Sequence, residues 1–298
     1  MNDDLKIINK LFKPYKYTIK GKTKILSCAD KDYVIKPKCH DLESTYRYLS
    51  SRGFDYYVPL VDSNRDNYDV FPYVYDNNVP YEQKGSDLAR ITSLLHAKTS
   101  YNKKVDASTY DNIYHDILNN CEYLEDYYSK MYDDMFLFKY HKPHEIMFLD
   151  FYSKINNAIG FCKKELESWY QIVSDKTDQR VSLIHNNLKV EHLLSDDKDY
   201  LISFDKAKID TPVLDLVNLY KNEYDNLEFS EVFKTYLYHF NLNEDEQKLF
   251  FILISLPEEI TFSSNNFDNV KKIYNLNNYI NKTEKLMRPY YFTEEEEK

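Results

Sequence analysis

The chain has 298 residues, 43% of them hydrophobic, which is enough for one large core or two lobes. Its formal net charge of −10 opposes a general nucleic-acid binder, because attraction to phosphate needs clustered Lys and Arg. With four glycines in all, Gly21, Gly53, Gly85 and Gly160, neither a G-x-G-x-x-G loop nor a Walker A loop can be built.

The N-terminus, Met-Asn-Asp-Asp-Leu-Lys, has no apolar run behind a basic start, and no segment reaches the roughly 18 apolar residues of a membrane span. A soluble intracellular protein is expected. Residues 5–13 predict a short helix. From Lys16 to Lys36 the pattern alternates as strands do, with Tyr17, Ile19, Ile25, Tyr33, Val34 and Ile35 as the apolar members. Gly21-Lys22 and Ala29-Asp30-Lys31-Asp32 supply the turns. Asp41 to Gly53 predicts a helix with Asp41 as N-cap, Leu42, Tyr46 and Leu49 on one face and Gly53 at the stop. Two more strands are expected, Tyr56 to Val61 and Asn67 to Tyr75, joined by a polar turn. Pro72 bars the second from an interior place in a sheet.

Ser86 to His96 is an amphipathic helix by pattern, with Leu88, Ile91 and Leu95 inward. From Thr109 to about Tyr132 and from Pro143 to about Val173, apolar and aromatic residues recur at helical spacing, and Pro143 suits a first turn. These stripes read as packing faces. After Leu183 come short strands and loops, and the last ~75 residues return to helical pattern in three stretches, 232–240, 244–256 and 270–288. Glu294 to Glu297 is an acidic, solvated end. Cys28, Cys39, Cys121 and Cys162 lie far apart without a C-x-x-C pair, which argues against a zinc ribbon or a disulfide framework and for reduced, partly buried thiols. Thirty tyrosines offer rings that are apolar and hydroxyls that are polar, a composition suited to adhesive contact.

One stretch carries the chemistry. It runs Leu183-Ile184-His185-Asn186-Asn187-Leu188-Lys189-Val190-Glu191-His192-Leu193-Leu194, followed by Ile202-Ser203-Phe204-Asp205. It resembles the H-G-D-L-x-x-x-N-x-L loop and I-D-F-D strand of aminoglycoside phosphotransferases and choline-kinase-like proteins. The resemblance extends to the Leu88-Ala89 … Leu95-His96 helix and to Val213-Leu214-Asp215-Leu216. It implies an α+β, bilobal protein-kinase-like fold, with a small β-rich lobe over residues 1–75, a hinge at 71–75, and a helical lobe over 76–298 holding the loop at 183–205. Within that frame Lys36 corresponds to the strand lysine that grips nucleotide phosphates, Glu43 to a partner for it, and Phe71 and Tyr73 to hinge residues at an adenine ring. Lys36 as an ordinary strand-end lysine and Glu43 as a solvated helix residue stand as the alternatives.

The resemblance also shows what is replaced. Asn187 stands at the catalytic Asp, His192 at the metal-holding Asn and Ser203 at the metal-holding Asp, while His185 and Asp215 are structural. Asn187 has no site to take a proton, and loss of a general base costs about 10²- to 10⁴-fold in rate. A hydroxyl and an imidazole are poor ligands for Mg²⁺. Asp205 is a candidate substitute, because Ser203 and Asp205, two apart on an expected strand, would share a face; Glu191 is a second carboxylate. A zinc triad of His185, Glu191 and His192 lacks helical i, i+4 spacing.

Two functions follow from the resemblance. One is a pseudokinase acting as a binding or assembly protein toward a protein partner, or holding a nucleotide without turning it over. The other is an active small-molecule phosphotransferase using ATP and Mg²⁺ through a rewired metal site. Tyr46-x-Tyr48-Leu49-x-x-x-Gly53-Phe54 and the Leu94-Leu95-His96 helix are similar to bacterial spore-coat kinase-like proteins, which implies a cytoplasmic or spore-coat location. Neither nucleic acid nor membrane is expected as a partner.

Overall fold

Alternation near the N-terminus becomes an antiparallel sheet of four strands, β1 Lys16–Lys20, β2 Thr23–Ser27, β3 Asp32–Pro37 and β4 Tyr68–Pro72, in that order across the sheet. The structure is a computed structural model describing residues 3–21, 23–38, 41–61, 67–106 and 108–291. The Lys22 half of the first turn, Cys39, the polar turn at 62–66 and the acidic end at 294–297 lie outside the described residues. Gly21 makes its part of the turn at φ +59°, where a side chain would strain the backbone.

Period two divides the sheet into two faces. Leu26, Cys28, Tyr33, Ile35 and Val70 turn to one side and pack with Ile8 of α1 Asp3–Phe12, helped by Leu5, Phe12 and Tyr68. Val34, Lys36, Asp69 and Phe71 are left on the other. α2 Leu42–Ser51 starts as expected: the Asp41 carboxylate accepts from Ser44 N at 3.3 Å, and Gly53 ends it at φ +69°. The expected strand from Tyr56 to Val61 does not form. Tyr57 makes a single bridge to Leu201, Val61 N donates to Val70 O, and Pro59 between them has no N–H to continue a ladder. Asn67 to Tyr75 is likewise shorter than expected, because the ladder ends at Pro72. β4 is the edge strand that Pro72 requires.

In chain order there follow α3 Tyr81–Thr99, β5 Tyr101–Lys104, α4 Ser108–Phe136, α5 Pro143–Val173, β6 Asp178–Ile184, β7 Leu193–Ser195, β8 Asp199–Leu201, β9 Lys208–Asp210, α6 Val213–Glu223, α7 Phe229–His239, α8 Glu244–Ser255 and α9 Asn266–Tyr291. β5 carries no sequence signal: Tyr-Asn-Lys-Lys is exposed along its length and takes strand form by pairing with β6. The described residues divide into two compact units. The first comprises Met1–Ser100, Ser182–Asp210 and Thr235–Phe240, and the second Tyr101–Val181, Thr211–Lys234 and Asn241–Lys298.

In the second unit the two long aromatic stripes are packing faces in part: Ile117, Ile155, Ile159 and Leu166 are buried, while Tyr123 and Ile146 are exposed. Tyr128, Phe148, Ile155, Leu166 and Trp169 are buried between helices, and α5 begins with Pro143 at its first turn while Glu145 accepts from Lys142 N at 2.7 Å. Cys28, Cys121 and Cys162 are free and buried, and burial pushes the Cys121 thiol up to about 11. None of these three is a reactive thiolate. His96 is packed within the first unit, its Nδ1 2.6 Å from the Tyr236 hydroxyl.

The sheet core of the first unit is small, so each of its side chains matters. Leu26→Ala, at a fully buried position, is expected to cost about 2–5 kcal/mol, read as a lowered urea midpoint. A change within about 0.5 kcal/mol would mean that α1 does not close over the sheet in solution.

Candidate functional site

The face of the sheet turned away from α1 is one wall of a cavity of ≈ 640 Å³ that lies wholly within the first unit. Pockets for small molecules run from about 300 to 1,000 Å³, so the space is of ligand size. Ile25, Val34 and Phe71 give the sheet wall its apolar surface, and Leu194 and Ile202 line the cavity with them. Lys20 and Lys36 place two cations on the lining. Tyr73, Val74 and Asp76, just past β4, form another margin; Leu42 and Tyr46 enter from α2; and Glu191, Ser203, Phe204 and Asp205 enter from the loop segments.

Lys36 Nζ donates to Ser203 Oγ at 3.1 Å, joining residues 167 positions apart. Ser203 sits at φ 69°, ψ 46°, in the left-handed region, between the end of β8 and a single 3₁₀ turn, Phe204–Lys206. This corrects the expected strand: Ser203 and Asp205 do not share a strand face, because the positive φ breaks the extended path between them. Asp205 nevertheless lines the cavity and takes no hydrogen bond from a described residue. Its charge is felt at Tyr46 and Asp69.

The loop before β7 is held by its backbone. Asn186 has φ 58°, a conformation for which Asn is among the better tolerated side chains. His185 is buried, donates from Nε2 to Ile202 O at 2.8 Å and packs its ring edge on Phe204 at 5.0 Å. His192 donates from Nδ1 to Asn187 O at 2.7 Å, and burial lowers its pKa, favouring neutral imidazole. Asn187 thus contributes a carbonyl to the loop, and its side chain is not on the cavity lining. Glu191 is exposed, with Lys189 3.6 Å away. Among the described residues no three His, Cys, Asp or Glu side chains converge as a metal site, so His185, Glu191 and His192 do not form a zinc triad.

Glu43 is not brought to Lys36. It pairs with Arg47 one turn along α2, at 2.9 Å, and the α2 side chains that face the cavity are Leu42 and Tyr46. Asp215 is fully buried in the first turn of α6, in the second unit.

Two features had no clear signal in the sequence. Asp69 is 2% exposed and directly opposite Lys36 in the β3–β4 register, hence on the same face of the sheet. Burial pushes its carboxyl up, Asp205 and Asp41 add to the rise, and Lys38 opposes it. Beyond β4, Asp76 pairs with the buried Lys84 at 2.5 Å and accepts from Ser195 N at 3.1 Å, while Lys84 also donates to Leu193 O. That network fastens the segment after β4 to β7. Both depend on partners far away in sequence.

No protein-family model matches the sequence. No curated protein matches it either. Among solved structures the chain is similar to an aminoglycoside phosphotransferase from Alicyclobacillus acidocaldarius, with TM-score 0.66 and 11% identity over 93% of this chain and 91% of that one. It is also similar to a spectinomycin phosphotransferase in complex with AMP, with TM-score 0.53 and 12% identity over 94% and 97% of the two chains. At such identities the likeness concerns the fold: an α+β, protein-kinase-like fold, with an N-terminal antiparallel sheet followed by a mostly helical region.

The raised Asp69 carboxyl has a stability consequence. Its protonated form is favoured by folding, so the stability it contributes is complete below the unfolded value of about 3.9 and is lost as pH rises through the folded pKa. Asp69→Asn keeps the shape without the charge. Its Tm should exceed the parent's at neutral pH and match it near pH ~3, by circular dichroism melts. A Tm difference independent of pH would show that the carboxylate charge is not the cause.

Proposed function

We propose that this chain is a pseudokinase with the aminoglycoside phosphotransferase-like fold: it holds a nucleotide or a similar anionic ligand in the cavity with little or no phosphoryl transfer, and acts through that binding or through a protein partner. The observation that carries the reading is the Lys36 Nζ to Ser203 Oγ hydrogen bond at 3.1 Å. A phosphotransferase needs a carboxylate there to hold Mg²⁺ against the phosphates, and a neutral hydroxyl already engaged by an ammonium is no such ligand.

The cavity suits a nucleotide. Its apolar surface from Ile25, Val34, Phe71 and Leu194 matches a base, Phe71 and Tyr73 standing where the sequence resemblance puts hinge residues, and Lys20 and Lys36 match phosphates. It does not suit a tightly held Mg²⁺. Asp76, Glu191 and Asp205 are the acidic residues among those that line it; Asp76 is held by Lys84 and Ser195, and no three-ligand group forms among the described residues. Asn187 supplies no base, and neutral His192 spends its Nδ1 proton on the loop backbone.

A second reading rests on Asp205 and Glu191, which share the cavity with Lys36. In it the two carboxylates restore a divalent site and the protein is an active phosphotransferase on an alcohol or amine. The location stays cytoplasmic or spore-coat by the sequence resemblance alone.

Thermal-shift titration with ATP separates the readings. The pseudokinase is expected to gain the same Tm shift in EDTA as in Mg²⁺, to lose most of it in Lys36→Ala, and to keep it in Asp205→Ala. Ser203→Asp, which returns a carboxylate beside Lys36, should make the shift Mg²⁺-dependent. A Mg²⁺-dependent shift in the parent that Asp205→Ala abolishes would overturn the proposal in favour of the rewired enzyme. No shift with any nucleotide would remove nucleotide binding from both.

A further inference from the structure

β1 ends the four-stranded sheet, and no described strand pairs with its outer edge. The opposite edge is treated differently: β4 accepts at Val70 O from Val61 N and stops at Pro72, which has no N–H to give. An edge without such a stop presents a row of backbone donors and acceptors to any extended chain that reaches it. The side chains of β1 are bare as well. Tyr15, Tyr17 and Ile19, at alternate positions, are 75%, 48% and 69% exposed, and Lys16 and Lys20 are exposed with them. Tyr17 donates its hydroxyl to Asn9 Oδ1 of α1 at 2.7 Å, so the strand is held from behind by the helix.

Charge selects the partner. Residues 5–29 contain seven lysines and no acid, and +7 here against −10 overall leaves −17 for the rest of the chain. Lys10, Lys13, Lys16, Lys20 and Lys24 form no ion pair with a described residue. Asp3 and Asp4 precede the run, while Asp30 and Asp32 follow it and accept from the hydroxyls of Tyr33 at 3.3 Å and Tyr75 at 3.0 Å. With these four counted, residues 3–32 still hold eight lysines to four acids. Lys20 also lines the cavity, so the weight at the open edge falls on Lys13 and Lys16.

We propose that the outer edge of β1 takes up an extended acidic segment of a protein partner as a fifth strand, its backbone pairing with β1, its acidic side chains set against Lys13 and Lys16 and its apolar ones beside Tyr17 and Ile19. In strand addition of this kind main-chain hydrogen bonds give affinity, and alternate side chains give selectivity. A second copy of the chain is a poor occupant, because it would bring another acid-free run of seven lysines against the first. Edge lysines guard a strand against its own kind, and the same guard attracts an acidic strand. A lipid surface offers no backbone groups to the open edge. The inference gives a chemistry to the protein partner of the pseudokinase reading and is independent of what the cavity holds.

The test is fluorescence anisotropy of the full chain with a labelled peptide of alternating Glu and Val, beside a Lys and Val counterpart and a version with every backbone amide N-methylated. The acidic peptide is expected to bind roughly tenfold or more tightly than the basic one, and to weaken as salt is raised. N-methylation should abolish binding, which a purely ionic contact would survive. Lys13→Glu/Lys16→Glu should weaken the acidic peptide roughly tenfold. Both positions are exposed, so an unchanged far-UV spectrum and Tm confirm folding, and with Lys20 and Lys36 intact the Tm shift with ATP is kept, which separates failure at this edge from failure in the cavity. No binding of the acidic peptide, equal binding of its N-methylated form, or binding that the double variant leaves unchanged would overturn the proposal. So would sedimentation with phosphatidylserine vesicles, or a concentration-dependent dimer, that the double variant loses while the peptide does not bind.

Discussion

An ammonium group on β3 must have an oxygen to face, and in this fold the oxygen comes from a residue 167 positions later in the chain. The Lys36 to Ser203 hydrogen bond closes the cavity between the sheet and the segment after β8, and the neighbouring groups arrange themselves around it. Asp69 lies across the strand without reaching the lysine as an ion pair. Leu42 and Tyr46 face the cavity from α2, and Asp205 enters one residue beyond Phe204. The ammonium thus meets a hydroxyl and not a carboxylate, although Asp205 and Glu191 line the same cavity.

Two turns of the loop are set by backbone geometry. Asn186 and Ser203 both hold positive φ, and both sit at turns that carry the loop past the cavity. Such conformations cost of order 1–3 kcal/mol each and persist where surrounding structure fixes them. Here the fixing groups are visible: His185 to Ile202 O, His192 to Asn187 O and the buried Phe204 ring. The loop is therefore a rigid scaffold whatever its reactivity.

Much of the fold was legible from periodicity and punctuation. The strands at 16–37, the cap at Asp41, the stop at Gly53 and the start at Pro143 fell where alternation, a capping carboxylate, a left-handed glycine and a first-turn proline put them. Local signals failed where partners decide the outcome. Tyr56 to Val61 has strand composition but no ladder, and Tyr101 to Lys104 has no strand composition but a partner in β6. Within the site, Lys36 and the 183–205 stretch could be found because their spacing is local. Asp69 could not, because its place depends on which strand lies beside β3. Of the two readings of Glu43, the solvated helix residue is the one found, and helix phase is the reason: Tyr46 follows Leu42 by four residues onto the inward face, and Glu43 follows it by one.

The three described thiols make the two units separately readable. Cys28 lies in the sheet core of the first, and Cys121 and Cys162 are sealed between the long helices of the second. Each sulfur is screened from water, so an alkylating reagent reaches it only when its own unit opens. The described residues thus carry native clocks for local opening, one in the unit that holds the cavity and two in the other.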